Sequence, residues 1–223
     1  MAKYKNGING PLSGKVGFVV AASWNGIDYL RSLPVGYKVA TKAQLNMRRL
    51  MGLVSGWLRP LKGVIAVGFQ DVPVGRTPMN EAVSFVFKHA LTGDGANRMI
   101  DFSRVVFSRG VLVAAMVSEV FFPEAGLLRV SWVSAPSSAL CAADDRVCFV
   151  FYCAGLERFV VFSDVAARAD GLVVLELPAD LNGFELHGWM QLVSVDGGMV
   201  STSVYICLRA DRHRRPGRGH ALV

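Results

Sequence analysis

A chain of 223 residues is long enough to bury a proper core as one large domain or two small ones. Hydrophobic residues make up 52% of it, yet the longest charge-free run, residues 130–143, carries Pro136 and four serines. That run is shorter than the roughly 18 apolar residues a spanning helix needs, so this criterion yields no membrane span.

The net charge of +7 is distributed unevenly. Residues 1–63 hold ten Lys or Arg against Asp28 alone, and residues 101–208 hold twelve acids against six Arg. Residues 209–223 turn basic again, with five Arg against Asp211. Such segregation points to an acidic partner for the first third and for the tail. Nucleic acid rewards Lys and Arg through its phosphates. The acidic part of a second copy would do so equally, because complementary patches steer association.

Along the chain, the start at Met1 has basic residues but no apolar run leading to a cleavage site, which predicts no signal peptide. A cytoplasmic protein, or part of an assembly built in the cytoplasm, is the expectation. Residues 15–21 read as a short strand of β-branched and aromatic residues, and residues 27–33 as a second extended piece ended by Pro34. Asn25-Gly26 between them is a two-residue hairpin turn, since both central positions of that turn need positive φ. The expected product is a β-hairpin with Trp24 at its tip.

The period changes at Thr41. Leu45, Leu50, Leu53, Val54, Trp57 and Leu58 recur at helical spacing, with Thr41 as N-cap and Pro60 as a break. A second helical stretch covers residues 61–69. Thr77-Pro78 opens a third, which is expected to run to about Leu91 and stop at Gly93. From Phe102 onward, seven strands are predicted at 105–107, 127–133, 146–152, 157–162, 172–177, 184–193 and 200–207. Turn signals at Gly155, Gly171, Gly183 and Gly197 separate several of them. The resulting fold class is α+β. An N-terminal β-hairpin and helical region over 1–100 precedes an immunoglobulin- or fibronectin-like antiparallel β-sandwich over 101–208. The tail, 209–223, has no apolar period and reads as a disordered arginine-rich segment.

Residues 6–34, NGINGPLSGKVGFVVAASWNGIDYLRSLP, resemble a family of Bacteroidota proteins that carries only a domain-of-unknown-function label, DUF6266. The resemblance continues through residues 58–62 (LRPLK), the 77–80 helix start (TPMN), residues 103–110 (SRVVFSRG) and residues 200–205 (VSTSVY). The arginine tail departs from the ending usual in that family. The resemblance implies no activity, cofactor or catalytic residue.

Catalytic and metal motifs are weak. Gly10 to Lys15 imitates a phosphate loop, but Lys15 is followed by Val16 and leads into a strand rather than a helix. No Gly-x-Ser-x-Gly elbow occurs, and His89 and His187 read as ordinary helix and strand residues. Cys141, Cys148, Cys153 and Cys207 match no zinc spacing and read as core thiols. The expectation is a non-enzymatic chain without cofactor, metal or small-molecule substrate. Its self-assembly interface would use Trp24, Tyr29, Arg31, Pro34, Arg48, Arg49 and Trp57, because Trp, Tyr and Arg dominate interface hot spots. The alternative is nucleic-acid contact through Lys3, Lys5, Lys15, Arg212, Arg214, Arg215 and Arg218.

Overall fold

The computed structural model describes residues 3–4, 10–34, 36 and 39–208. The expectations placed on Lys5 and on the tail, including its arginines and its disorder, lie outside these residues.

Four short strands open the chain: β1 (Lys3–Tyr4), β2 (Leu12–Val16), β3 (Val19–Trp24) and β4 (Ile27–Ser32). They pair in that order as one antiparallel sheet. The Asn25-Gly26 turn forms as expected, with φ of 50° and 80° at its two residues. The single strand expected over residues 15–21 does not form. Gly17, at φ 57°, and Phe18 turn the chain so that Val16 faces Val19, which adds a second hairpin.

Helix α1 (Lys42–Leu58) starts at Thr41, whose hydroxyl accepts from the Gln44 amide while Gln44 Oε1 accepts from Thr41 N–H. This reciprocal box satisfies two donors that a helix start leaves open. Pro60 cannot continue the hydrogen-bond ladder, so residues 59–61 tighten into a 3₁₀ turn before α2 (Lys62–Gly68). Helix α3 (Pro78–His89) is capped by Thr77, as expected, but it ends earlier than its sequence pattern suggests. Leu91–Thr92 instead forms β5, paired with β6 (Met99–Ile100).

Seven strands follow: β7 (Met116–Glu124), β8 (Leu127–Val133), β9 (Arg146–Cys153), β10 (Arg158–Ala167), β11 (Leu172–Glu176), β12 (Leu186–Val193) and β13 (Val204–Leu208). They build two antiparallel sheets, ordered β11-β8-β7 and β10-β9-β12-β13. The count of seven matches expectation, but the first strand is displaced. Residues 105–107 join no ladder, because Phe107 N–H donates to Ser203 Oγ and Val105 C=O accepts from the Trp189 indole. The edge strand is β7, whose Pro123 lacks an amide proton and is tolerated only where a ladder is open.

The four-stranded sheet lies at the centre. Val147, Phe149, Phe151 and Cys153 of β9 point to one side and join Leu128, Val130 and Trp132 of β8 with Leu175 of β11 in a first buried cluster. Val150 and Tyr152 point to the other side, where Trp189 of β12 meets Val54, Leu58, Ile65, Ala82 and Val86 of the helices. Both faces of β9 are therefore covered, which explains its unbroken apolar run. The second cluster draws on residues from both sides of residue 100. The continuous stretch Lys42–Gly68 is long and apolar enough, by length and composition alone, to cross a membrane. Its buried side chains Leu50, Val54, Leu58, Leu61 and Ile65 face the interior of this fold.

An ion pair fixes one end of the first cluster. Arg168 and Asp145, each with a side chain 2% exposed, meet at 2.9 Å. Arg168 Nη2 also donates to Val113 C=O, Asp145 Oδ2 accepts from Ala142 N–H, and the Trp132 indole donates to Arg168 C=O. One charge pair thereby holds three loops together.

Candidate functional site

Two surfaces stand out, the N-terminal sheet and a groove between α1 and the central sheet. The sheet's register sorts its side chains. Lys3 opposes Ser13, Lys15 opposes Val20, Val20 opposes Arg31, Ala22 opposes Tyr29, and Trp24 opposes Ile27. Directly opposed residues share a face, and so do residues two apart. Lys3, Lys15, Trp24, Tyr29 and Arg31 therefore occupy one face, basic and aromatic. The fold thus brings residues expected for self-assembly together with residues expected for nucleic acid, a coincidence that only the register reveals.

The opposite face carries Tyr4, Leu12, Val16, Val19, Ala21 and Leu30, together with Ser23, Asp28 and Ser32 towards its Asn25-Gly26 and Pro34 ends. Its apolar residues lie mostly on the β1–β2–β3 side. Ala21 is buried, but Val16 is 52% and Leu30 66% exposed. Pro34 lies exposed just beyond β4. Arg48 and Arg49 are exposed on the first half of α1, beside the exposed Leu45, Met47 and Met51.

Trp57 lies on α1, apart from the N-terminal sheet. It is half-buried and lines a groove of ≈ 560 Å³ with Leu53, Pro60, Met99, Phe102 and Phe159, among others. The Trp57 ring lies 5.2 Å from Phe159 and 5.4 Å from both Phe102 and Tyr152. Helical spacing brings Leu53, Gly56, Trp57 and Pro60 onto one side of the α1 segment. Strand alternation brings Tyr152 and Phe159 to meet them as directly paired neighbours. The pattern of α1 includes Trp57 among the apolar residues recurring at helical spacing. Nothing in the sequence says that a loop carrying Met99 and Phe102 would complete the wall.

The aromatic row continues across the sheet. Phe159, Tyr152, His187 and Cys207 occupy consecutive strands in register. Phe102 packs 4.6 Å from His187, whose Nδ1 lies 2.7 Å from the Tyr205 hydroxyl. Burial pushes the His187 imidazole below its usual range, against the opposing pull of Glu185. Burial also pushes Tyr205 up to about 12, helped by Cys207, Glu185 and Asp101. Tyr152 is raised by burial and partly relieved by the nearby Trp57 indole. That indole N–H is itself buried and meets no acceptor at hydrogen-bonding geometry.

Among the described residues, Glu157 is the one charged residue lining the groove, exposed and with a φ of 49°. Cys141, Cys148 and Cys153 are buried free thiols. Cys207, expected in the core, is exposed, because its side of the edge strand β13 lies beyond the helical layer. Among the described residues, no group of three His, Cys, Asp or Glu could hold a metal ion.

The model of a family of unknown function, DUF6266, matches residues 11–207. The chain belongs to this family. The family match covers β2 through most of β13, and it stops before the arginine tail. No curated protein matches the chain.

Proposed function

We propose that this member of the family is a non-enzymatic assembly protein that binds further copies of itself through β1–β4. One observation carries the reading. On one face of this sheet Tyr4, Val16, Val19 and Leu30 stay 40–66% exposed, although Ala21 between them is buried. A small sheet without a packed face is marginal in water. Exposed apolar patches of this kind mark interaction sites. Residues 101–208, with their excess of acids, supply the complementary surface on the next copy. A contact between unlike surfaces propagates head to tail and closes as a ring or continues as a filament.

In this reading, β7–β13 form a fibronectin-type sandwich. The strand order supports it. An immunoglobulin constant domain places its fourth strand with the first, second and fifth. Here the fourth, β10, pairs with the third, β9, which is the fibronectin-like alternative.

The test is light-scattering mass of nuclease-treated protein at low and high salt, with absorbance at two ultraviolet wavelengths recorded in line. A mass well above one chain, reduced to one chain by Leu30→Asp or by Arg31→Glu with Arg48→Glu, is the expected result. A single-chain mass at every concentration overturns the reading. The basic-aromatic face of Lys3, Lys15, Trp24, Tyr29 and Arg31 favours a second reading, a nucleic-acid-associated accessory protein, since cations with stacking rings suit single strands. A monomer that retains nucleic acid until salt removes it would put that reading first.

A further inference from the structure

Beyond β13, the sequence runs Arg209, Ala210, Asp211, Arg212, His213, Arg214, Arg215, Pro216, Gly217, Arg218. The strand ends at Leu208, one residue past the outermost member of the row Phe159–Tyr152–His187–Cys207. Strands in a sheet are about 4.8 Å apart, so Cys207 stands about 10 Å from Tyr152 and about 14 Å from Phe159. The seven residues that follow Leu208, through Arg215, can span about 23 Å. The chain thus leaves the sheet at the end of the aromatic row and has ample length to cross it.

Charge points the same way. Glu157 lines the groove, and Glu185 lies close enough to His187 and Tyr205 to act on both. Arg104 and Arg158 are paired with Asp101 and Asp180, while Arg59 and Arg98 neighbour the lining residues Pro60 and Met99. Neither Glu157 nor Glu185 has an ion-pair partner among the described residues. An apolar, ring-lined groove with unmatched carboxylates suits guanidinium groups, which stack on aromatic faces and pair with carboxylates at once. Proline restricts the residue before it to extended backbone, the form that aromatic grooves accept.

We propose that residues 209–218 of this chain dock from the His187 side into the Trp57 groove, with arginines stacked on the part-exposed rings of Trp57, Phe102 and Phe159 and paired with Glu157 and Glu185. The contact stands whether or not copies of the chain assemble. The docking segment lies beyond the family match, which ends at residue 207.

The experiment follows the four tryptophan indole resonances of the full-length, nitrogen-labelled protein by nuclear magnetic resonance. Trp57→Phe assigns the groove signal. The comparison is a full-length variant with Arg212, Arg214, Arg215 and Arg218 all changed to Ser, which leaves both buried clusters untouched. The Trp57 signal is expected to move between the two proteins while Trp132, inside the other cluster, stays in place as the fold control. Glu157→Gln with Glu185→Gln should reproduce most of the shift, and about 1 M salt should erase the difference. If the difference grows with protein concentration, the segment docks from a neighbouring copy onto the same groove. A Trp57 signal identical in the two proteins at low salt overturns the proposal.

Discussion

Adding one methyl group at Gly68 tests how the helical layer meets the rest of the fold. A Cβ there would stand 2.1 Å from Phe107 O, 2.8 Å from Ser108 Cα and 2.9 Å from Ser108 Cβ. Two of the three obstacles are backbone atoms, so no rotamer change relieves the clash. About 1 Å must come from moving the 107–108 segment off the end of α2, against close packing. That segment is held by Phe107 N–H to Ser203 Oγ at 2.9 Å and by Arg109 N–H to Gly68 O at 2.8 Å. Overpacking costs about 1–3 kcal/mol, and losing one of these bonds adds about 1 kcal/mol. Alanine's helical advantage of about 1 kcal/mol over glycine works in the other direction. The net expectation for Gly68→Ala is a loss of about 1–3 kcal/mol, read as a urea midpoint lower by about 0.5–1.5 M at a slope of about 2 kcal/mol/M. Gly52, inside α1, is the control, since nothing lies within 4 Å of a Cβ built there. Gly52→Ala should stabilise by up to about 1 kcal/mol. Equilibrium unfolding followed by tryptophan fluorescence measures both. Equal effects at the two positions, or a neutral Gly68→Ala, would refute the close-approach argument.

Three further outcomes follow from the same geometry. Asp145→Asn leaves the Arg168 guanidinium buried without its counter-charge and should cost about 3–5 kcal/mol in urea unfolding. Adding Arg168→Met to that variant should recover part of the loss, whereas further destabilisation would count against the pairing. In alkali, Tyr205 should hold its proton until pH approaches about 12 rather than the ordinary 10.0, as phenolate absorbance will show. The folded state then binds this proton more tightly than the unfolded chain. The linked stability is complete below about pH 10 and lost as pH rises towards 12, and Tyr205→Phe should remove that alkaline slope. His187 acts in the opposite sense. Its depressed affinity for protons means that the linked stability is present above its usual 6.5 and lost as pH falls below it. His187→Gln should flatten that acidic limb of a stability profile, and an unchanged limb would assign it to other groups.

Local chemistry was legible along the chain. Thr41 with Gln44, Thr77 with Pro78, and Asn25-Gly26 each specify a cap or turn within four residues, and each forms where the sequence indicates. The expected strand over residues 15–21 failed because a β-branched run signals strand content but not where the chain reverses; Gly17 decided that. Residues 105–107 look like a strand, yet their partners are Ser203 Oγ and the Trp189 indole, groups distant in sequence. No strand was expected over residues 116–124; β7 forms there as an edge strand, where Pro123 is tolerated because the ladder is open on one side.

The candidate surfaces divide in the same way. Aromatic and basic residues of the hairpin could be read from sequence, but their gathering on one face, with the exposed Tyr4, Val16, Val19 and Leu30 on the other, followed from strand register. Trp57 was legible as one of the apolar residues recurring at helical spacing, and was assigned to the self-assembly interface. Its place in a ring-lined groove required Phe102, Tyr152 and Phe159 to arrive from a loop and two strands. The sequence by itself determined helix caps, tight turns, the unbroken apolar run of β9 and the separation of charge, because these depend on neighbours a few residues apart. Tertiary structure alone decided which face of each strand is covered, which edge stays open and where the chain leaves the sheet, because those depend on contacts between residues far apart in the chain.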